Sequence, residues 1–439
     1  MTWHDEYKKK TVSNSFIAEK IESGDYISLG LCLGGVTDHL VNEILSRHEE
    51  LQNVTIADAV SVWPSNLNDI RCLKSIRGKI NYETFFCMNN SRKILKERLG
   101  DFIPCTASDS AGKVLSRSDV FMLMVTPPND EGYVNLGVTN FYQLDVIRSR
   151  KENGIRLLIG EVNDKLPTVH GDNWVHISEF DYFVENSTPM IEFPKAVPNE
   201  QEALIADYVL ELIKDGDTLQ LGIGGIPDAV ATGLSSKKNL SIFTEMLPNT
   251  LPELVKKGIV TNSNSIFKKG VTIGSFGMGD SNFYEFLNDN PLVELYPSSL
   301  IVNPLTIAKQ PDMKAINNAL LVDLTGQICS EGIGHRQISG AGGQPDFHIG
   351  AYHAKGGMAC TLLTSGRYLA DGSFSSSIVA ELPPGTPVTV GRNFADTVIT
   401  EHGIAELRNK SRRERAEALI RIAHPSCREE LTFIAKGLF

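Results

Sequence analysis

The chain reads as an α/β protein: two similar open α/β domains with mainly parallel sheets, related by an internal repeat. Three observations lead there. At 439 residues the chain exceeds what one hydrophobic core normally organises. Short continuous apolar runs alternate with helical patterns, which is how strands buried on both faces of a parallel sheet read. A helix–strand–glycine turn–helix–strand unit also occurs twice, about 190 residues apart, a period too long for a solenoid.

Taken in order, residues 16–23 are expected to form a short helix, ended by Gly24 just past the C-cap. Tyr26–Leu29 is the expected first strand, 30–35 a glycine-rich turn, and Thr37 opens the next helix. The second copy is IKDGDTLQLGIGGIPDAV, 213–230. Gly24-Asp25 matches Gly216-Asp217, Leu29-Gly30 matches Leu221-Gly222, Gly34-Gly35 matches Gly224-Gly225, and Asp38 matches Asp228. The first copy carries two extra residues in its turn. Downstream, 51–56 aligns with 237–242, each a strand after a helix, which sets Ala59 opposite Glu245.

Between the copies, Val120–Val125 and 156–162 read as buried parallel strands. A loop rich in proline and glycine, 126–137, follows the first of them. Pro194 and Pro198 mark 191–199 as a linker, dividing the chain into domains 1–190 and 191–439. Asn199 is placed to cap a helix over 200–214, with Leu204, Val209, Leu212 and Ile213 at helical spacing. Later strands are expected at 271–276, 319–324, 388–390 and 397–399. A capped, charge-rich helix is expected over 411–423, stopping before Pro425.

Composition narrows the function. The chain is 41% hydrophobic and 22% charged, ordinary for a soluble globular protein. A net charge of -11 argues against nucleic acid as the main partner. The seven cysteines are scattered and form no CxxC pair, which fits reduced cytosolic thiols and neither a disulfide frame nor a zinc site. The first residues lack the apolar core of a signal peptide, and no apolar run reaches the roughly 18 residues of a membrane helix. The expectation is a cytoplasmic protein without membrane contact.

Glu245 stands out. It sits inside the apolar run from Leu240 to Leu247, where a buried charge costs several kcal/mol unless it has a partner or a task. Two readings stand side by side: a first-turn glutamate behind a Thr244 N-cap, or a reactive group. The repeat favours the second, since the matching position holds Ala59. Gly222-Ile223-Gly224-Gly225 lies between a strand and a helix, where glycines let backbone N–H groups approach a phosphate or an acyl oxygen. As a dinucleotide fingerprint it is incomplete, because Pro227 fills the sixth position; a tight structural turn explains it as well. Gly340-Ala341-Gly342-Gly343-Gln344 is a second such turn. Two glycine turns and one isolated glutamate suggest a nucleophilic carboxylate facing oxyanion donors. The ten histidines show no HExxH pairing, so no metal site is expected, and no G-x-S-x-G elbow is present.

Blocks along nearly the whole chain carry a resemblance. They include VTPPNDEGYVNLGV (125–138), IGEVNDKLPTVHGD (159–172), LQLGIGGIPDAV (219–230), FTEM (243–246), VDLTGQICSEGIGHRQISGAGGQPDF (322–347), TEHGIAEL (400–407) and RAEALIRIAHPSCREEL (415–431). The chain resembles the acetyl-CoA hydrolase/transferase family, most closely its 4-hydroxybutyrate and butyrate CoA-transferase branch. That resemblance implies a ping-pong CoA-transferase in which Glu245 becomes a glutamyl-CoA thioester. It implies that Gly343 is an oxyanion donor. Gln220, Leu221, Gly222, Ile223, Gly224 and Gly225, together with Gly342, would meet coenzyme A. Asn303, Glu401 and Gln344 would line the carboxylate pocket. Coenzyme A and acyl-CoA would be substrates, with no tightly bound cofactor, small carboxylic acids the partners, and a homodimer or homotetramer the assembly. Departures fall at 34–38, which lacks an acid-proline pair, at Leu247-Pro248-Asn249-Thr250, and at Ser375-Ser376-Ser377. The alternatives are an acyl-CoA hydrolase on the same scaffold, a nicotinamide-dependent oxidoreductase, and a non-catalytic CoA-binding protein.

Overall fold

The computed structural model describes residues 2–222 and 224–439. The chain divides into two compact units. The first runs up to Phe193 and takes in Gly274–Leu300 and Gln337–Gly340. The second comprises Pro194–Ile273, Ile301–Arg336 and Ala341–Phe439.

The first unit holds a parallel sheet of seven strands: β1 (Tyr26–Leu29), β2 (Val54–Asp58), β3 (Ile80–Thr84), β4 (Gly100–Phe102), β5 (Val120–Val125), β6 (Leu157–Val162) and β7 (Tyr182–Glu185). Their order is β7-β6-β5-β1-β2-β3-β4. Every residue of β5 is buried, as its unbroken apolar run requires. Helix α1 (Asp38–Ser46) buries Leu40, Val41, Ile44 and Leu45 against the sheet core. The early helix forms over Asn14–Glu19, shorter than expected, because Lys20 already closes it.

The second unit holds β8 (Thr218–Leu221), β9 (Ser241–Ile242), β10 (Met313–Asn318), β11 (Met358–Leu362), β12 (Thr397–Thr400) and β13 (Gly403–Glu406). The order is β9-β8-β10-β11-β12-β13, parallel except for the final β12–β13 hairpin. Helix α2 (Glu200–Leu212) starts at Asn199 through a reciprocal capping box with Glu202. It is followed by α3 (Gly225–Gly233), α4 (Gln344–His353) and α5 (Arg412–Ile422), the last capped by Ser411 and Glu414.

The repeat holds in three dimensions, residue for residue. Ile27 pairs with Ile56 in the first unit, and Leu219 with Ile242 in the second. Gly24 and Gly216 both take positive φ, +92° and +86°, and their N–H groups donate to the carbonyls of Gln52 and Lys238. Asp25 and Asp217 accept from the Glu22 and Lys214 N–H groups at 2.7 and 2.8 Å. Each buried aspartate meets one cation, Arg156 for Asp25 and Lys314 for Asp217.

The copies differ in their turns. In the first, the two extra residues allow a single 3-10 turn over Cys32–Gly34, and the loop closes on itself. A Cβ on Gly30 would lie 2.1 Å from the Gly34 carbonyl oxygen, and one on Gly34 would lie 2.4 Å from Gln143 Nε2. The first unit does carry an acid one place before Ala59. Asp58 is buried under the Tyr82 hydroxyl, which donates to it at 3.0 and 3.1 Å.

Two expectations need correction. Residues 388–390 form no strand; Val390 makes only an isolated bridge to Ile328. The 319–324 run forms just Leu321–Asp323, and the apolar pattern does not predict the central strands β10 and β11. Among the described residues no helix is long and apolar enough to cross a membrane.

Lys314 lies 3.4 Å from Asp217, both side chains buried, and donates to the carbonyls of Asp312 (3.1 Å) and Gly356 (2.9 Å). Burial pushes the Asp217 carboxyl above its ordinary range, opposed by the Lys214 N–H and by the charge and hydrogen bond of Lys314. Lys314→Met, which strands that carboxylate, is expected to destabilise the second unit by about 3–5 kcal/mol. Thermal denaturation checks this, and an unchanged Tm would contradict it.

Candidate active site

The sheet order of the second unit reverses between β8 and β10. From β8 the chain steps outward to β9, and from β10 it steps the other way through β11 and β12. Ligands of open α/β sheets bind outside the carboxyl ends of the strands at such a point. The Gly222–Gly225 turn lies there, directly after β8.

Gln220 and Leu221 face inward. The Gln220 amide exchanges hydrogen bonds with Asn317, donating at 3.2 Å and accepting at 2.8 Å, and accepts from the Ile316 N–H at 3.1 Å. Leu221 is buried. The turn therefore offers backbone rather than these side chains. Gly222 donates its N–H to Ile316 O at 2.9 Å. Gly224 takes φ +115° and caps α3, a conformation that favours glycine. A Cβ on Gly225 would lie 2.5 Å from Glu202 Oε1, so a carboxylate stands at the N-terminus of α3. Ile223 lies outside the described residues.

Glu245 occupies a bend between β9 and the short strand Met246–Leu247. It is not a first-turn residue: the next helix is Leu251–Lys256, with Thr250 at its N-cap. Thr244, fully buried, holds the bend by donating its hydroxyl to Met246 O at 3.0 Å and its N–H to Ile273 O at 3.2 Å. The helix N-terminus that Glu245 does meet belongs to α4, far along the chain. The Gly343 N–H, at the N-cap of α4, donates to the Glu245 carboxyl. A Cβ on Gly343 would stand 2.0 Å from Glu245 Oε2 and 3.1 Å from Val302 Cγ1, so a side chain there would displace the carboxyl. Gly342, at φ +54°, supplies the left-handed turn into the helix.

The Glu245 side chain keeps some accessible surface, yet protein packs densely around its carboxyl. Burial, and next the charge of Asp346 in the first turn of α4, push its pKa up to about 8, against the opposing Gly343 N–H. Gln344 is buried beside Gly343 with its Nε2 unpartnered, a donor aimed at no protein atom.

Asn303 caps the short helix Pro304–Ile307, accepting from the Leu305 N–H at 2.9 Å. Its neighbour Val302 touches the Gly343 position, which brings this stretch beside the carboxyl. Glu401 lies just after β12. It accepts from the Ser365 N–H (2.8 Å), the Ser365 hydroxyl (2.6 Å) and Gln201 Nε2 (3.1 Å). Burial holds the adjacent His402 below its ordinary pKa, so it is a weak counter-charge. Glu245, Gly342, Gly343 and Gln344 thus form one cluster with Val302-Asn303 at its side, while Glu401 is held at the end of β12 by Ser365 and Gln201. Asp346 and Asn317 were missed in the sequence reading. Asp346 was legible as an acid in the first turn after a Gly-Gly-Gln-Pro helix start. Among the described residues no group of three or more His, Cys, Asp or Glu is placed to hold a metal ion.

A desolvated carboxyl held by a backbone donor at a helix start is an arrangement that can serve acyl transfer. Comparisons with known proteins identify the family. Profiles of the acetyl-CoA hydrolase/transferase N-terminal domain and C-terminal domain match residues 1–193 and 279–435. The chain is 36% identical to the 4-hydroxybutyrate coenzyme A transferase of Clostridium kluyveri, over 98% of each chain. It is 34% identical to the succinyl-CoA:cyclohexane-1-carboxylate CoA transferase of Geobacter metallireducens, over 100% of this chain and 97% of that one. The crystal structure of RipA from Yersinia pestis superposes with a TM-score of 0.90 at 29% identity, covering 100% of this chain and 99% of that one. The chain belongs to the acetyl-CoA hydrolase/transferase family, and it is an enzyme of the CoA-transferase type.

The raised pKa has a stability consequence. The folded state keeps the Glu245 proton up to about pH 8, whereas the unfolded chain loses it near 4.5. Stability contributed by this group is complete below the lower value and is lost as pH rises through the higher one. Glu245→Gln is expected to match the wild type near pH 4.5 and to exceed it by about 1–3 kcal/mol at pH 8. Thermal denaturation across that range checks the sign, and a difference that does not vary with pH would contradict it.

Proposed function

We propose that the enzyme moves CoA between a short-chain acyl-CoA and a carboxylic acid of the acetate, butyrate or 4-hydroxybutyrate type, through a thioester on Glu245. The observation that carries this reading is the Glu245 carboxyl set against the Gly343 N–H at the start of α4. An ionised Glu245 oxygen attacks the thioester carbon; the C–S bond breaks and leaves a mixed anhydride and a CoA thiolate. The thiolate attacks the Glu245 carbonyl carbon, and the acyl group departs as its carboxylate. A second acid then enters, and the steps run in reverse.

Keeping the thiolate in place between the two attacks is worth about 7–11 kcal/mol in effective concentration. The Gly343 N–H stabilises the oxyanion formed on Glu245, worth about 3–4 kcal/mol. Thioester and anhydride are close in energy, so the exchange needs no ATP. The Glu202 carboxylate at the start of α3 stands where a dinucleotide turn would receive a phosphate, which disfavours the oxidoreductase reading. A hydrolase remains the second reading, because the family description names both activities. It differs only in letting water take the place of the incoming acid. Fast CoA release without any added acid would favour it.

Incubation with an acyl-CoA and no acceptor is expected to leave a CoA-sized adduct on the Glu245 peptide, removable by hydroxylamine and readable by mass spectrometry. Glu245→Ala is expected to lack both adduct and turnover, and retained transfer activity in it would sink the assignment. Glu245→Asp, one methylene short, is expected to lose about 100-fold or more. Gly343→Ala, whose methyl would occupy the carboxyl's place, is expected to lose about 100- to 1,000-fold. The rate of the first half-reaction is expected to climb with pH and level off above about 8, as Glu245 ionises.

A further inference from the structure

Asp346 has no part in the steps above, yet it is buried at 4% exposure in the first turn of α4, three positions after Gly343. Helical side chains lean toward the helix N-terminus, so a residue there leans back over the N-cap. The N-cap is where the Gly343 N–H holds Glu245. Two carboxyl groups therefore share one desolvated helix start. A structural acid at this position normally complements the helix dipole. Here the same dipole also serves Glu245, and the two acids compete for it.

We propose that Asp346 is a positioning residue whose fixed negative charge disfavours the free Glu245 carboxylate and stops opposing it once Glu245 is neutralised as anhydride or thioester. The charge acts in the direction of reaction. It makes the free carboxylate more basic and a stronger nucleophile, and it favours the acylated state over the ionised resting one. Other groups around Glu245 do not supply this effect. Thr244, Asn303 and Gln344 carry no charge, and His348 on α4 is buried and held neutral, its pKa lowered to about 4. The burial of Glu245 would raise its pKa without Asp346, so the proposal concerns the additional, charge-dependent part.

The inference rests on Glu245 being the nucleophile, and the test separates the two. The rate of CoA-adduct formation on the Glu245 peptide is followed against pH, with an acyl-CoA and no acceptor, in the wild type, Asp346→Asn, Asp346→Ser and Asp346→Glu. The neutral variants are expected to shift the rising limb to lower pH. At pH 6 each should retain about tenfold more of its own plateau rate than the wild type does, while the plateau itself falls. Asp346→Glu, which keeps the charge, is expected to keep the wild-type limb. A limb that stays in place in either neutral variant that folds overturns the proposal, even if activity or Tm drops, because loss of a helix-start residue alone would do that. Absence of any adduct in the wild type would overturn the Glu245 reading instead, and this inference with it.

Discussion

A carboxylate cannot be taken out of water cheaply, and the second unit is arranged around making one such burial tolerable. Glu245 gives up solvent, and a neighbouring acid makes its charge less welcome still. The compensation on offer is small: one N–H from Gly343 and the positive end of a ten-residue helix. Everything nearby follows from fitting these pieces together. Thr244 fixes the bend, Gly342 turns the chain, Gly343 leaves room for the carboxyl, and Val302 closes the side. The residue is poorly stabilised as an ion at rest, the condition that the proposed nucleophilic role requires.

The repeat shows how one supersecondary unit can serve two ends. Both copies use a glycine at positive φ, a buried aspartate and one cation to start the strand. They part at the turn. Two added residues let the first turn curl inward and bury itself, whereas the shorter second turn ends at a helix start beside Asn317 and Asn318. The acids part as well. Asp58 lies one place early and spends its charge on a tyrosine hydroxyl, its pKa pushed up to about 6 by burial. Glu245 lies one place later and faces a backbone donor.

Features set by local chemistry were legible in the sequence. The runs Tyr26–Leu29 and Val120–Val125, the caps at Asn199 and Ser411, and both glycine turns depend on residues a few positions apart. Features set by distant partners were not. β10 carries Lys314 and Asn317, polar residues that look wrong for a central strand until Asp217 and Gln220, the latter 97 positions away, satisfy them. The helix-start reading of Glu245 erred for the same reason: the helix N-terminus is real but belongs to α4. The partners of Glu401 are distant as well: Ser365 and Gln201 hold it at the end of β12.

Double displacement through an enzyme carboxylate leaves a signature in the oxygen atoms. With an unlabelled acyl-CoA and an acceptor acid carrying oxygen-18 in its carboxylate, one labelled oxygen passes to Glu245 when the anhydride opens. It then leaves in the carboxylate released during the next turnover. Mass spectrometry of the released acid is expected to find one heavy oxygen per molecule after the first turnover. Released acid that carries no label, or that takes its new oxygen from labelled water instead, would contradict transfer through Glu245.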